Sequence, residues 1–159
     1  MTISIRKIER TDQAWVQAFL MAQAGAIRNV SRGVLHQCDA LPGFIASLAG
    51  KQVGLLTYHV NGRDCEVVTI HTAVRRQGVG SALLNQAVMN ARKLDCDRIW
   101  LITTNDNEPA IQFYKACGWQ LTAVHKGAIA QSRKLKPEIP LTGLNGIPID
   151  DEIEFEIRL

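Results

Sequence analysis

A chain of 159 residues has the length of one domain and, by the usual scaling of folded against extended surface, buries about 70% of its unfolded area. With 47% apolar residues and only 12 Gly and 5 Pro, collagen-like, linker-rich and disordered chains are excluded. The 18 Lys and Arg against 15 Asp and Glu leave a net charge of +3, and the densest basic cluster is the short Arg133-Lys134-Leu135-Lys136 segment, which argues against a nucleic-acid partner and against a membrane surface.

The amino-terminal stretch Met1 to Asp12 alternates apolar and polar residues and has no apolar h-region or small-residue cleavage site, so it reads as structural rather than as a signal peptide. No window approaches the ~18 to 20 apolar residues that cross a bilayer as a helix. Cys38, Cys65, Cys96 and Cys117 form no C-x-x-C pair and have no His at zinc-finger spacing, which reads as reduced, mostly buried thiols, no metal site and a cytoplasmic protein.

Residues 2 to 9 read as a first strand, and Asp12 as the cap of an apolar helix running to about Ala24. Gly25 to Gly43 has weak periodicity and the breaker Leu41-Pro42-Gly43, so it is expected to be a long functional loop or to hold a short helix. Phe44–Leu48, Gln52–Val60 and Cys65–Thr72 are strand-like runs, the last two joined by the hairpin signal Asn61-Gly62, which predicts an antiparallel meander. From Gly78 to about Lys93 the apolar stripe Leu83, Leu84, Ala87, Val88, Ala91 and Leu94 faces a wet side of Ser81, Asn85, Gln86, Asn90 and Arg92, as in a helix lying on a sheet. Arg98–Thr103 reads as a buried strand, Asn107–Cys117 as a helix stopped by Gly118, and Trp119–His125 as a strand. Ala128–Leu135 reads as a short helix, Pro137–Pro148 as a loop and Glu152–Leu159 as a final strand. Strands and helices alternate without repeats through one domain, 1–159, of mixed α/β (α+β) class.

The turn Thr72-Ala73-Val74-Arg75-Arg76-Gln77-Gly78-Val79-Gly80-Ser81 follows a strand and opens a helix. Gly78 and Gly80 allow close backbone approach, and free N–H groups at the positive end of a helix favour a phosphate, with Arg75 and Arg76 adding charge. A Walker loop fails because no Lys follows Gly80. A dinucleotide fingerprint fails because Leu83 stands where its third glycine belongs.

Arg75-Arg76-Gln77-Gly78-Val79-Gly80 resembles the pyrophosphate-binding R/Q-x-x-G-x-G/A pattern of the GNAT-superfamily N-acetyltransferases. The segment from Asn107 to Trp119 is similar to that family's second signature, N-x-x-A-x-x-F-Y-x-x-x-G-[FW]. The resemblance implies a central, mostly antiparallel sheet flanked by helices, with two splayed parallel strands forming a cofactor cleft. It implies acetyl transfer from acetyl-CoA, a co-substrate, to a primary amine by direct attack in a ternary complex. Thr72, Ala73, Val74, Arg75, Arg76, Gln77, Gly78, Val79, Gly80, Ser81 and Asn107 are then the cofactor-binding positions, with a main-chain N–H at the end of the first splayed strand as oxyanion donor.

The same resemblance places Tyr114 beside the CoA sulfur as general acid, a modest task because a thiolate with a thiol-like pKa of ~8.5 already leaves readily. Glu66 is the candidate base for an alkyl amine that is mostly protonated at neutral pH. His71, with a reference pKa of ~6.5, and a water chain are its alternatives. Asn107 is also explained by helix capping alone. The acceptor site maps to Gly25–Gly43 and Lys126–Pro148, where Arg28, Arg32 and His36 hint at an anionic group, and the acceptor stays open among small-molecule amines, antibiotics, polyamines and peptide amino termini. A homodimer is an allowed assembly. The readings that compete with the enzyme are an acyl-CoA-binding regulatory module without turnover and a non-CoA phosphate-binding domain.

Overall fold

The computed structural model describes residues 2–159, and Met1 lies outside them. The first strand, β1 (Ile3–Lys7), leads through a single 3-10 turn into the helix α1 (Gln13–Ala24). Asp12 precedes the helix as expected, but its carboxylate does not cap it. It accepts from the Glu9 N–H at 2.7 Å and from the Arg6 guanidinium at 2.7 Å through each oxygen, which holds its pKa down at about 2 and ties the helix start to β1.

The stretch from Gly25 to Gly43, expected to be a loop or a short helix, is instead a hairpin of β2 (Arg28–Ser31) and β3 (Val34–Gln37), followed by one 3-10 turn. The hairpin reverses at Arg32 and Gly33, whose φ values of 47° and 77° are those of a two-residue turn with both central residues left-handed. Arg-Gly stands where Asn-Gly would have announced such a turn, and the two strands are only four residues each, so periodicity could not show them.

The rest of the chain supplies β4 (Gly43–Leu48), β5 (Lys51–Asn61), β6 (Asp64–Thr72), α2 (Val79–Lys93), β7 (Arg98–Thr104), α3 (Glu108–Ala116), β8 (Gln120–His125), α4 (Ala128–Leu135) and β9 (Glu152–Arg158). Seven strands form one sheet in the order β1-β4-β5-β6-β7-β9-β8, antiparallel throughout except for β6 against β7. Parallel neighbours need a crossover, and α2 provides it. Its buried stripe of Leu83, Leu84, Ala87, Val88 and Ala91 packs with Leu56, Val67, Leu101 and Phe155 on one face of the sheet. Two residues of α2 depart from the predicted pattern: Leu94, just past the last turn, is half exposed, and Asn90, expected on the wet side, is buried. On the other face, Val16, Phe19 and Leu20 of α1 pack with Ile45, Leu55 and Val68.

The strands β6 and β7 pair only from Asp64 opposite Arg98 to Val67 opposite Leu101, although they extend to Thr72 and Thr104. Where that pairing ends, the register of β6 against β5 shifts: Tyr58 faces Val67 and Thr57 faces Thr69, so Val68 is an extra residue. Such a bulge reverses the alternation of side chains and bends the strand. Val67 packs on the α2 face, Val68 on the α1 face, and the carboxyl-terminal halves of the two parallel strands part.

Candidate active site

The turn after β6 has the conformation its glycines suggested. Arg76 and Gly78 have φ values of 56° and 78°, and the first α-helical hydrogen bond of α2 runs from the Ala82 N–H to the Gly78 carbonyl at 3.0 Å. Helix geometry then leaves the N–H groups of Val79, Gly80 and Ser81 without helical acceptors, aimed out of the helix start. Gly80 meets a second constraint that sequence reasoning missed: an added Cβ would stand 3.0 Å from Cζ of Phe113 on α3. Arg75, Arg76 and Gln77 are exposed beside this start.

A cavity of about 970 Å³ lies over the turn and continues to α3. Its walls include Thr72, Val74, Arg75, Arg76, Gln77, Gly78, Val79, Gly80, Ser81 and Asn107, so every predicted cofactor position but Ala73 lines it. Ala73 faces away because its N–H belongs to the sheet, donated to the Val53 carbonyl at 2.8 Å. Antiparallel alternation directs the backbone groups of Thr72 the opposite way, towards the gap left by β7. The open main-chain donor at the end of β6 is therefore that of Thr72. Asn107 caps α3 through Oδ1, which accepts from the Ala110 N–H at 3.3 Å, and its side chain still borders the cavity.

On the α1 side of the gap lies a second cavity of about 350 Å³, bounded by Leu20, Ala26, Arg28, Asn29, Thr103 and Lys136 among others. The two cavities share Ile70, His71, Asn107, Ala110 and Tyr114. They share this wall where β6 and β7 separate.

Tyr114 stands at that junction, 8% exposed, with its ring against Phe113, Trp119 and Phe155 at centroid distances of 5.5, 6.4 and 5.6 Å. Burial pushes its phenol up to about 12, so the hydroxyl stays protonated throughout the neutral range. The imidazole of His71, on the same wall, is held below its usual value by burial and is neutral at pH 7. Glu66 lines neither large cavity. It is 5% exposed beneath the hairpin, with Oε1 at 3.5 Å from Nε2 of the equally buried His36. It borders a third, polar cavity of about 70 Å³ together with Ser31, Thr103 and Glu152, and neither Glu66 Oε2 nor Ser31 Oγ has a protein partner there. That volume accommodates about two water molecules. The small cavity shares Asn29, Val68, Ile102, Thr103 and Thr104 with the 350 Å³ one, and His71 borders only the latter of the two.

The remaining basic residues noted in the hairpin meet carboxylates, two of them buried and one, the partner of Arg28, at the surface. Arg32 pairs with the buried Glu152 at 3.0 Å, Arg28 with Glu138 at 3.3 Å, and His36 faces Glu66. In the loop before β9, which the resemblance assigns to the acceptor site, Leu144 and Asn145 border the larger cavity. The buried Asp106 carboxylate accepts from the Leu144 N–H at 3.1 Å. The Arg133 guanidinium donates to the carbonyls of Ile139, Pro140 and Ile149 at 3.3, 2.7 and 2.9 Å. Polar residues so far apart in the chain carry no local pattern that would reveal this lashing.

The cleft between the two parallel strands thus has a helix start at one end and a second chamber on the other face of the sheet. The acetyltransferase (GNAT) family model matches residues 9–119. The chain is 45% identical to the Bacillus subtilis protein YdhI over 127 residues, 79% of each chain. Among solved structures it is similar to an IAA acetyltransferase from Bacillus cereus, with TM-score 0.78 and 19% identity over 99% of this chain and 100% of that one. It is also similar to a Bacillus subtilis acetyltransferase in complex with CoA, with TM-score 0.75 and 18% identity over 99% of both chains. The chain belongs to the GNAT acetyltransferase family.

Proposed function

We propose that this protein is a single-domain, acetyl-CoA-dependent N-acetyltransferase in which a primary amine attacks the thioester directly within a ternary complex. The observation that carries the proposal is the shared wall of the two cavities: a cofactor in the larger and an amine in the smaller would meet at His71, Asn107 and Tyr114. The CoA-bound relative supports the nature of the cofactor.

In this reading the pyrophosphate lies on the N–H groups of Val79, Gly80 and Ser81, with Arg75, Arg76 and Gln77 supplying charge and donors. The pantetheine runs along the open edge of β6 towards Asn107. The ammonium gives its first proton to solvent, and once the nitrogen has bonded the acyl carbon His71 accepts the second, with Glu66 on the small cavity that adjoins the amine's chamber as the alternative base. The amine nitrogen bonds the acyl carbon, the oxyanion accepts from the Thr72 N–H, and the carbon–sulfur bond then breaks. Tyr114 donates a hydrogen bond to the departing thiolate. Full proton transfer from a phenol of about 12 to a thiolate of ~8.5 would be uphill by about 5 kcal/mol, so solvent completes that protonation. The four free cysteines suit a reducing compartment, and we place the reaction in the cytoplasm.

The test is release of free CoA thiol from acetyl-CoA across a panel of amine classes, paired with a thermal-shift titration with CoA. Amine-dependent thiol release with a CoA-dependent rise in melting temperature supports the enzyme. A rise in melting temperature without turnover of any amine would identify an acyl-CoA-binding module instead, and no rise at all would remove the cofactor assignment.

A further inference from the structure

The 350 Å³ cavity has an unusual charge for a chamber that receives an amine. An alkyl ammonium is a cation, and a site evolved for a plain amine or polyamine would be expected to offer carboxylates at its walls. Among its lining residues there is no Asp or Glu, but there are two cations, Arg28 and Lys136. Glu66 and Glu152, two buried acids of the same region, open onto the small cavity that adjoins it.

The two cations border this cavity and not the larger one, whereas Tyr114, His71 and Asn107 border both. The Lys136 ammonium donates to the Arg28 carbonyl at 3.0 Å, which sets the two residues side by side and leaves two of its protons free. The Arg28 guanidinium meets Glu138 at 3.3 Å in a pair whose members are about half exposed, a weak contact that leaves most of its donors for a ligand. Apart from these two cations the wall carries no formal charge: Leu20, Ala24, Ala26, Val68 and Leu101 are apolar, and Asn29, Thr69, Thr103 and Thr104 are neutral and polar. Lys136 also acts inside the chamber. The Cys38 thiol on its wall, pushed up to about 11 by burial, is drawn down by Lys136, the largest of the charges acting on it, ahead of Asp39 and Glu66.

We infer that the acceptor is a small amino acid in the broad sense, a primary amine joined through an uncharged body to a carboxylate, with its amine at the Tyr114 junction and its carboxylate at Arg28 and Lys136. This inference rests on the N-acetyltransferase reading and adds the substrate class to it. The carboxylate supplies the charge complement the chamber asks for, and its fixed position would orient the amine towards the thioester.

The experiment compares matched probes: leucine, phenylalanine and 6-aminohexanoate against their amides and their decarboxylated amines, by CoA thiol release with the purified protein. The expected result is a kcat/KM at least about tenfold higher for an acid than for its neutral counterparts. K136Q and R28Q should raise KM for the acid and bring that ratio towards one, while K136R, which keeps the charge, should retain the preference. Amides or plain amines turned over as well as the acids, or a ratio unmoved by K136Q and R28Q together, would overturn the inference and leave the acetyltransferase reading standing. Absence of turnover with every acid, amide and amine would overturn both.

Discussion

Replacing Tyr114 by Phe removes one hydroxyl at the junction of the two cavities and little else. The ring contacts with Phe113, Trp119 and Phe155 persist, so the melting temperature and the affinity for acetyl-CoA should stay close to wild type. With its phenol at about 12, Tyr114 is ionised to only about one part in 10,000 at pH 8, and burial favours the neutral form by about 3 kcal/mol over a phenol in water. The hydroxyl is therefore a hydrogen-bond donor at every working pH. Because outright proton transfer to the thiolate is uphill, its contribution is that of one donor to a developing charge, about 1.5–3 kcal/mol. Y114F should consequently lower kcat by about 10- to 150-fold. Single-turnover thiol release under saturating substrates measures it, with calorimetric titration of acetyl-CoA as the control. A loss below about threefold would refute the assignment of Tyr114 to the sulfur. A falling limb near pH 10 in the wild type that disappears in the variant would refute the buried, elevated phenol.

The predictions that remain concern the base and two tight backbone approaches. His71 titrates below its reference value, so kcat/KM for the wild type should rise with pH along a limb whose midpoint lies below ~6.5, and H71Q should erase that limb and lower the rate by about 100-fold or more. The same shift acts on stability: between the folded pKa and ~6.5 the unfolded chain binds more protons, so stability falls as pH drops through that window, and H71Q should flatten this dependence in pH-resolved chemical denaturation. G80A must push Phe113 aside by a few tenths of an ångström at the helix start, and should weaken acetyl-CoA by about tenfold while costing about 1 kcal/mol of stability, read by titration and thermal melting. In G143A the new Cβ would fall 1.9 Å from Oδ2 of Asp106, the carboxylate that holds the Leu144 N–H. A loss of about 2 kcal/mol, or a fall of roughly 4–8 °C in melting temperature, should accompany a higher KM for acetyl-CoA.

Elements with a strong local signal are legible in the sequence. The Asn61-Gly62 turn announces the β5–β6 hairpin, and the apolar period of α2 announces a helix on a sheet. Ala128–Leu135 is a helix with the bounds its pattern suggested. The hairpin β2–β3 escaped because four-residue strands around an Arg-Gly turn leave too short a pattern. The residues of the cofactor turn are legible for the same local reason: a strand end, two glycines and a helix start are contiguous, and the conformation of Gly78 is dictated within a few residues.

The placement of Glu66 and His71 is of another kind. Each sits in the same nine-residue strand, and strict alternation would put Glu66 and His71 on opposite faces. The extra residue Val68 cancels one step of that alternation, so both lie towards the α1 face, Glu66 under the hairpin and His71 on the wall of the cleft. A bulge is decided by how β6 pairs with β5 and ceases to pair with β7, a balance among three strands that no window of residues contains. By itself the sequence determined the helices and the longer strands and which backbone turn can receive an anion, because propensity, period and glycine conformation act over a few neighbouring residues. Only the tertiary structure decided the short β2–β3 hairpin, where the sheet opens, which chamber lies beside the opening, and that Arg28 and Lys136, 108 residues apart in the chain, stand together in its wall.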